Sequence, residues 1–201
     1  MPEITSAQTV LLLWAVIGYG LGSIPFGMVL AKVMGLGNLR SIGSGNIGAT
    51  NVLRTGNKLA AFLTLLLDGG KGAAAVLLAR AFAAEDAAQL AGGMAFLGHC
   101  FPVWLKFKGG KGVATFLGLL LGLAWPVGLA ACATWLLTAA VVRISSFSAL
   151  MAAAMSSVWM VLLGYGHMVA LGAVLTLLIF WTHRANIARI RKGTEPKIGK
   201  K

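Results

Sequence analysis

Long apolar runs alternate with short polar interruptions along this chain. Apolar windows of about 17–25 residues mark helices able to cross a bilayer. The first runs from about Gln8 to Met34, the second from Lys58 to Phe82 and the third from Ala88 to Trp104. The stretch Val113–Val142 is long enough for two short spans, broken near Trp125-Pro126. Two more run from Phe147 to Leu163 and from Met168 to Thr182. Between them lie an acidic turn (Glu85, Asp86), an Arg143–Ser146 loop, a Gly164–His167 turn and a basic tail from His183 to Lys201. The pattern predicts an all-α polytopic integral membrane protein, with about seven transmembrane helices in one membrane-embedded domain, 1–201.

Composition agrees: 58% of the 201 residues are hydrophobic and 11% charged, against about 25% charged in soluble domains. A formal charge of +12 raises the question of nucleic acid. The basic residues gather at helix ends, without the aromatic interleaving of a single-strand binder, so nucleic acid is excluded as a partner. Arg40, Arg54, Lys58, Lys106, Lys108, Lys111, Arg143 and the tail cations fall on one set of alternate turns; Glu3, Glu85, Asp86 and His167 fall on the other, with Arg80 the one nearby cation. The positive-inside rule then puts the N-terminus outside and the C-terminus in the cytoplasm. The first helix is too long for a signal peptide and has no basic leader. Cys100 and Cys132 read as packing residues.

Two polar segments on the basic side carry candidate chemistry. Arg40–Arg54 is rich in glycine, hydroxyls and amides. Gly43, Gly45 and Gly48 permit the positive φ of a concave nest of N–H groups; Ser44, Asn46, Thr50 and Asn51 add side-chain donors, and Arg54 a forked cation. A plain interhelical turn is the alternative. Gly43–Gly48 fits G-x-G-x-x-G but follows a membrane helix, and Ala49 stands where a Walker lysine belongs, so neither nucleotide motif applies. The second segment, Gly109-Gly-Lys-Gly112, leads into the helix starting at Val113, whose N-terminus favours anions. Lys111 is the expected ligand there, whereas Lys106 and Lys108 read equally well as topological anchors. Gly69-Gly-Lys-Gly72 echoes the tetrapeptide and hints at a two-helix repeat.

Asp68 and Lys71, at i and i+3 within a span, neutralise each other as a structural pair or serve the site. His99 near Pro102 reads as a packing residue and His167 as uninvolved; His183 and Asn186 share a helix face. No His, Cys and carboxylate cluster has metal-ligand spacing, cytoplasmic carboxylates are scarce beyond Glu195, and neither a His-x4-Asp pair nor a G-x-S-x-G elbow occurs. Such a site is rich in anion-binding groups and poor in bases and nucleophiles. It suits a substrate already phosphorylated and already activated.

Ser44-Gly-Asn-Ile-Gly-Ala-Thr-Asn-Val-Leu-Arg54, Gly98–Thr115 and His183-Arg-Ala-Asn186 with Gly193-Thr-Glu195 together resemble the three cytoplasmic motifs (40–56, 98–115, 183–197) of the acyl-phosphate:glycerol-3-phosphate acyltransferases, the PlsY family of bacterial phospholipid synthesis. The resemblance implies transfer of a fatty acyl group from acyl phosphate to the 1-hydroxyl of sn-glycerol 3-phosphate, giving lysophosphatidic acid and inorganic phosphate. Neither acyl-CoA nor acyl-carrier protein is used, and no metal or coenzyme is needed. It implies that Ser44 and Arg54 are essential, that Gly109, Gly110, Lys111 and Gly112 hold glycerol 3-phosphate, that His183 and Asn186 contribute, and that Glu195 maintains integrity. It also implies a bacterial inner-membrane location, an active site on the cytoplasmic face, and the soluble phosphate acyltransferase that makes acyl phosphate as a partner. The mixed anhydride needs no covalent enzyme intermediate. The base is either His183 or a substrate phosphate, and the scarcity of carboxylates favours the phosphate. The rival is a transporter of phosphorylated metabolites, which would need broken, polar helices at the midplane in repeated halves; a non-catalytic scaffold is the third reading.

Overall fold

Pro25 interrupts the first apolar run. Without an N–H to donate, and with a ring that pushes the preceding residue out of the helical region, it divides the run into α1 (Gln8–Gly22) and α2 (Phe26–Val33). The span expected from about Gln8 to Met34 is found as one candidate crossing, Gln8–Val33, with a local break at Pro25. Two carbonyls released at the break find donors elsewhere. The Trp104 indole donates to Ser23 O and the Lys71 ammonium to Ile24 O, both at 2.8 Å.

This computed structural model describes residues 2–199, so Lys200 and Lys201 of the expected tail lie outside the described residues. After a glycine-rich loop come α3 (Ala49–Val52), α4 (Lys58–Phe82), α5 (Glu85–Cys100), α6 (Val113–Leu123), α7 (Trp125–Val142), α8 (Ser145–Leu162), α9 (Val169–Thr182) and α10 (Arg184–Arg191). Among the described residues there is no strand. Helix α4 begins where expected because the Asn57 side chain caps it, accepting from Ala60 N at 2.9 Å. Helix α5 starts earlier than expected, drawing Glu85 and Asp86 from the predicted turn into its first turn, where carboxylates meet the positive end of the helix dipole. The extended Ala124 separates α6 from α7, and Pro126 sits in the first turn of α7. Among the described residues four stretches are long and apolar enough to cross a membrane, α1–α2 taken together, α4, α7 and α8, or five if the bent α9–α10 pair counts as one.

The chain divides into two compact units, Glu3–Leu123 and the stretch from Ala124 onward. In the first, α4 is the central post, packed by α1, α2, α3, α5 and α6. Small residues let the backbones close up. A Cβ on Gly18 or Gly22 of α1 would lie 2.3 or 2.0 Å from a carbonyl oxygen of α5, and one on Gly118 of α6 would lie 1.9 Å from Gly69 O of α4. Gly69 and Gly72 of the echoed tetrapeptide thus lie on a helix seam inside α4.

Helix α6 has only 11 residues, about 16 Å of rise. It runs beside the later half of α4: Thr115 Oγ1 donates to Asp68 O at 2.9 Å near its start. At its end Arg80 of α4 donates to Gly122 O at 2.6 Å and Leu123 O at 2.9 Å. These are last-turn carbonyls without partners inside their own helix. Arg80 is paired with Glu85 at 2.8 Å, which explains a cation on the acidic side. At the same end Asp86 accepts from Thr5 N, Ser6 N and Ser6 Oγ at 2.7–2.9 Å, fastening the chain ahead of α1. In the second unit, α7 packs on α8, α8 on α9, and α10 on both α8 and α9. Leu59, Phe62, Leu65 and Leu66 on α4 and Leu136, Leu137 and Val141 on α7 are exposed, as lipid-facing surfaces require.

Candidate active site

The first polar loop is built around one buried amide. Asn51, in α3, donates through Nδ2 to Leu39 O at 2.8 Å and Asn46 O at 2.7 Å. Its Oδ1 accepts from Ser44 N and from Arg54 Nη1, both at 3.1 Å, with Ser44 Oγ at 3.5 Å. This saturates Asn51. The residue expected to bind phosphate is instead the hub that places Ser44 and Arg54, the two exposed groups expected to be essential. Gly43 and Gly45 have φ of +51° and +65°, the positive values a nest requires. Gly48 does not; at φ −81° it precedes α3 in extended backbone, and its expected left-handed role is corrected. Asn46 Oδ1 accepts from Ile47 N at 2.8 Å, and Thr50 lies exposed in the first turn of α3. Beneath the loop, Ala31, Leu39, Val52, Ala60 and Ala61 form a small apolar core joining α2, α3 and α4.

The second loop is folded back on the helix that precedes it. Gly110 N donates to His99 O and Gly109 N to Cys100 O, both at 3.0 Å, so these two N–H groups satisfy terminal carbonyls of α5. A Cβ on Gly110 would lie 2.1 Å from His99 Nε2, and one on Gly112, where φ is +82°, would lie 2.2 Å from the Phe96 ring. Tight packing explains these glycines, and the amides of Gly109 and Gly110 are occupied by these carbonyls. The anion-binding potential moves forward to Lys111 and the N-terminus of α6. Lys106 and Phe107 have φ of +52° and +59°, a strained pair of non-glycine residues that no sequence signal marked. The Arg40 guanidinium donates to Lys108 O, joining the two polar loops within one unit. Because Thr115 reaches Asp68 O, the second loop enters α6 at the depth of the Asp68–Lys71 pair. The sequence had placed only that pair at mid-depth.

In the second unit a separate cluster gathers around Glu195. Its Oε1 accepts from Ser146 Oγ at 2.7 Å and Asn186 Nδ2 at 2.5 Å, and its Oε2 from Arg189 Nε at 2.6 Å. Partial burial works against the charge, but these hydrogen bonds and the Arg189 charge outweigh it and hold the carboxyl below the ordinary glutamate range. Buried His183 lies 2.8 Å through Nδ1 from Ile179 O. A carbonyl only accepts, so Nδ1 carries the proton and the lone pair of the neutral ring sits on Nε2. The tail is tied down further where Ile198 N donates to Arg143 O at 2.7 Å. Arg40, Asn51, Ser146 and Arg189 acquire positioning roles that the sequence had not assigned.

A family model described as glycerol-3-phosphate acyltransferase matches residues 12–193. Curated relatives called glycerol-3-phosphate acyltransferase include one from Ruegeria pomeroyi, 70% identical over 201 residues and covering 100% of this chain and 99% of its own. Another, from Roseobacter denitrificans, is 67% identical over 198 residues, covering 98% and 99%. A crystal structure of PlsY (YgiH), an integral membrane glycerol 3-phosphate acyltransferase in its glycerol 3-phosphate form, superposes with a TM-score of 0.89 at 36% identity, covering 94% of this chain and 96% of that one. Its lysophosphatidic acid form gives 0.86 at 35%, covering 94% and 95%. With its apolar helices, the chain is a multi-pass membrane protein. The family match and the full-length similarity to these relatives together show that it belongs to the glycerol-3-phosphate acyltransferase family of PlsY.

Proposed function

We propose that this chain transfers a fatty acyl group from acyl phosphate to the 1-hydroxyl of sn-glycerol 3-phosphate at the cytoplasmic face of a bacterial inner membrane. The products are lysophosphatidic acid and inorganic phosphate. The carrying observation is the Arg40–Lys108 O contact, which joins a loop presenting Ser44 and Arg54 to a loop presenting Lys111 at a helix N-terminus. Two phosphate-bearing substrates call for two adjoining anion sites of this kind. The glycerol 3-phosphate and lysophosphatidic acid forms of the related PlsY support the acceptor and the product.

In this reading the 1-hydroxyl oxygen attacks the acyl carbon, the bond from that carbon to the phosphate oxygen breaks, and inorganic phosphate leaves. No nucleophile from the protein is required. Ser44 and Arg54 hold one phosphate and stabilise charge developing on it, while Lys111 and the N-terminus of α6 hold the other. Holding both reactants in register is worth up to ~7–11 kcal/mol of barrier. The hydroxyl proton passes to a substrate phosphate; if His183 took it instead, Nε2 would be the accepting nitrogen. The charge bias of the turns supports seven spans with the N-terminus outside. The soluble enzyme that makes acyl phosphate is the proposed supplier of the donor.

Purified protein given palmitoyl phosphate and glycerol 3-phosphate, without metal or coenzyme, is expected to release phosphate and lysophosphatidic acid in equal amounts. Arg54→Ala should abolish both. Turnover with palmitoyl-CoA but not palmitoyl phosphate would overturn the donor assignment. Passage of glycerol 3-phosphate across a sealed liposome without acylation would favour the transporter.

A further inference from the structure

The Asp68–Lys71 pair lies in the interior of the first unit, both side chains about 97% buried. Lys71 Nζ is 2.8 Å from Asp68 Oδ1, in ionic contact but off hydrogen-bonding alignment. A buried pair of this kind is a weak source of stability, since apolar replacements often do as well. Ionised groups at membrane depth are more often kept for function. What distinguishes this pair is where its contacts lead.

Lys71 Nζ also donates to Ile24 O at the α1–α2 break. Just beyond, the backbone of Gly27 meets Ile47 O of the first polar loop, where a Cβ would lie 1.9 Å from that oxygen. The main chain of Asp68 accepts from Thr115 in the first turn of α6, three residues from where the second loop ends. The Asp68 carboxylate faces His99 Nδ1 at 3.6 Å, and this nitrogen makes no hydrogen bond among the described residues. A lone pair turned toward a carboxylate would be repelled, so the proton sits on Nδ1 and Nε2 faces the backbone of Gly110. His99 O in turn accepts Gly110 N. The contacts of the pair thus lead toward the polar loops by way of the α1–α2 break and Gly27, of Thr115 and of His99, which is the wedge between carboxylate and loop.

We propose that Asp68, Lys71 and His99 form a buried charged strut that positions the Gly109–Gly112 loop for glycerol 3-phosphate. All three are positioning residues and touch no substrate. The inference rests on the reading that Lys111 and the N-terminus of α6, at the end of this loop, hold glycerol 3-phosphate. The charge matters as well as the volume, because the carboxylate fixes the imidazole against the loop. Displacing a binding loop by a fraction of an ångström costs affinity first, and misplacement of about 1 Å can cost as much as 100-fold.

The test is steady-state kinetics of Asp68→Asn, Lys71→Met, the charge-neutral double variant and His99→Asn, with thermal unfolding in detergent as a check on folding. Asp68→Asn and His99→Asn are expected to raise the glycerol 3-phosphate KM about tenfold, with kcat and the palmitoyl phosphate KM changed less than threefold. The double variant leaves no uncompensated charge, so it should unfold near the parent temperature and still show the raised KM. A folded double variant with the parental KM would overturn the strut and leave the pair purely structural, as would an equal fall in kcat for both substrates. Lys111→Ala separates the two levels. If it leaves the glycerol 3-phosphate KM unchanged, the loop assignment itself fails. If it raises that KM while Asp68→Asn and the double variant do not, only the strut fails.

Discussion

At the scale of single residues, Asn51 stands at the centre of five hydrogen-bonding contacts, a place that depends on how residues 39 to 54 fold back on themselves, which spacing does not encode. Asn51→Leu leaves Leu39 O, Asn46 O and Ser44 N without this partner, and buried polar groups left unmatched cost ~1–3 kcal/mol each. It is expected to lower stability by about 3 kcal/mol, measured by denaturation in detergent, and to abolish turnover by releasing Ser44 and Arg54. Retained activity at parental stability would show that the hub is dispensable. Glu195 was assigned to integrity by family resemblance alone, and its three hydrogen-bond donors give that role a physical basis. Its folded carboxyl titrates below the unfolded one. The stability it supplies is therefore whole above the ordinary glutamate pKa of about 4.3 and is lost as pH falls through the folded value. Melting temperatures followed from pH 6 to pH 3 should fall for the parent and fall less steeply for Glu195→Gln, which is already weakened at pH 6. Parallel curves would show that another carboxylate governs the acid limb.

At the scale of elements, apolar run length located the helices well and their interruptions less well. The break at Ala124 was legible because Trp125-Pro126 stands within a run too long for one span. The break at Pro25 was missed although a proline stood there too, because a 27-residue run reads as one comfortable crossing. Its cost is met by donors from Trp104 and Lys71, residues 79 and 46 positions further along the chain. Glycines show the same division. Gly118 and Gly70 look alike in sequence, yet a Cβ on Gly118 would collide with Gly69 O at 1.9 Å, while one on Gly70 meets nothing within 4 Å. Gly118→Ala is expected to push α6 off α4 and cost about 2–3 kcal/mol as an overpacking substitution, whereas Gly70→Ala should leave stability unchanged or raise it by up to ~1 kcal/mol. Unfolding curves of the two variants decide it, and equal destabilisation would mean that the seam is looser than its backbone distances indicate.

At the scale of the whole molecule, the proposed topology turns on its shortest apolar helix. With about 16 Å of rise, α6 cannot by itself cross a hydrocarbon layer of about 30 Å. If it failed to complete a crossing, the spans would number six and both termini would share a side. Within the first unit two contacts argue otherwise. Thr115 at its start is level with Asp68, the eleventh residue of α4, and its last carbonyls are held by Arg80 near the end of α4. The helix therefore covers the later half of the distance that α4 covers, and the loop ahead of it, with Gly110 and Gly112 buried, joins it beside the middle of α4. A loop is tolerated at such depth because its backbone groups are satisfied by His99 O and Cys100 O and are enclosed by protein. These two contacts support a completed crossing and hence the proposed odd parity. Single cysteines at Glu3, Lys58, His167 and Lys192, in a chain with Cys100 and Cys132 replaced by alanine, should separate cleanly under a membrane-impermeant maleimide. Glu3 and His167 are expected to label in intact spheroplasts, Lys58 and Lys192 only after permeabilisation. Labelling of Glu3 and Lys192 together in intact spheroplasts would establish an even number of spans, and α6 would then be a re-entrant helix carrying its anion-binding end back to the side from which it entered.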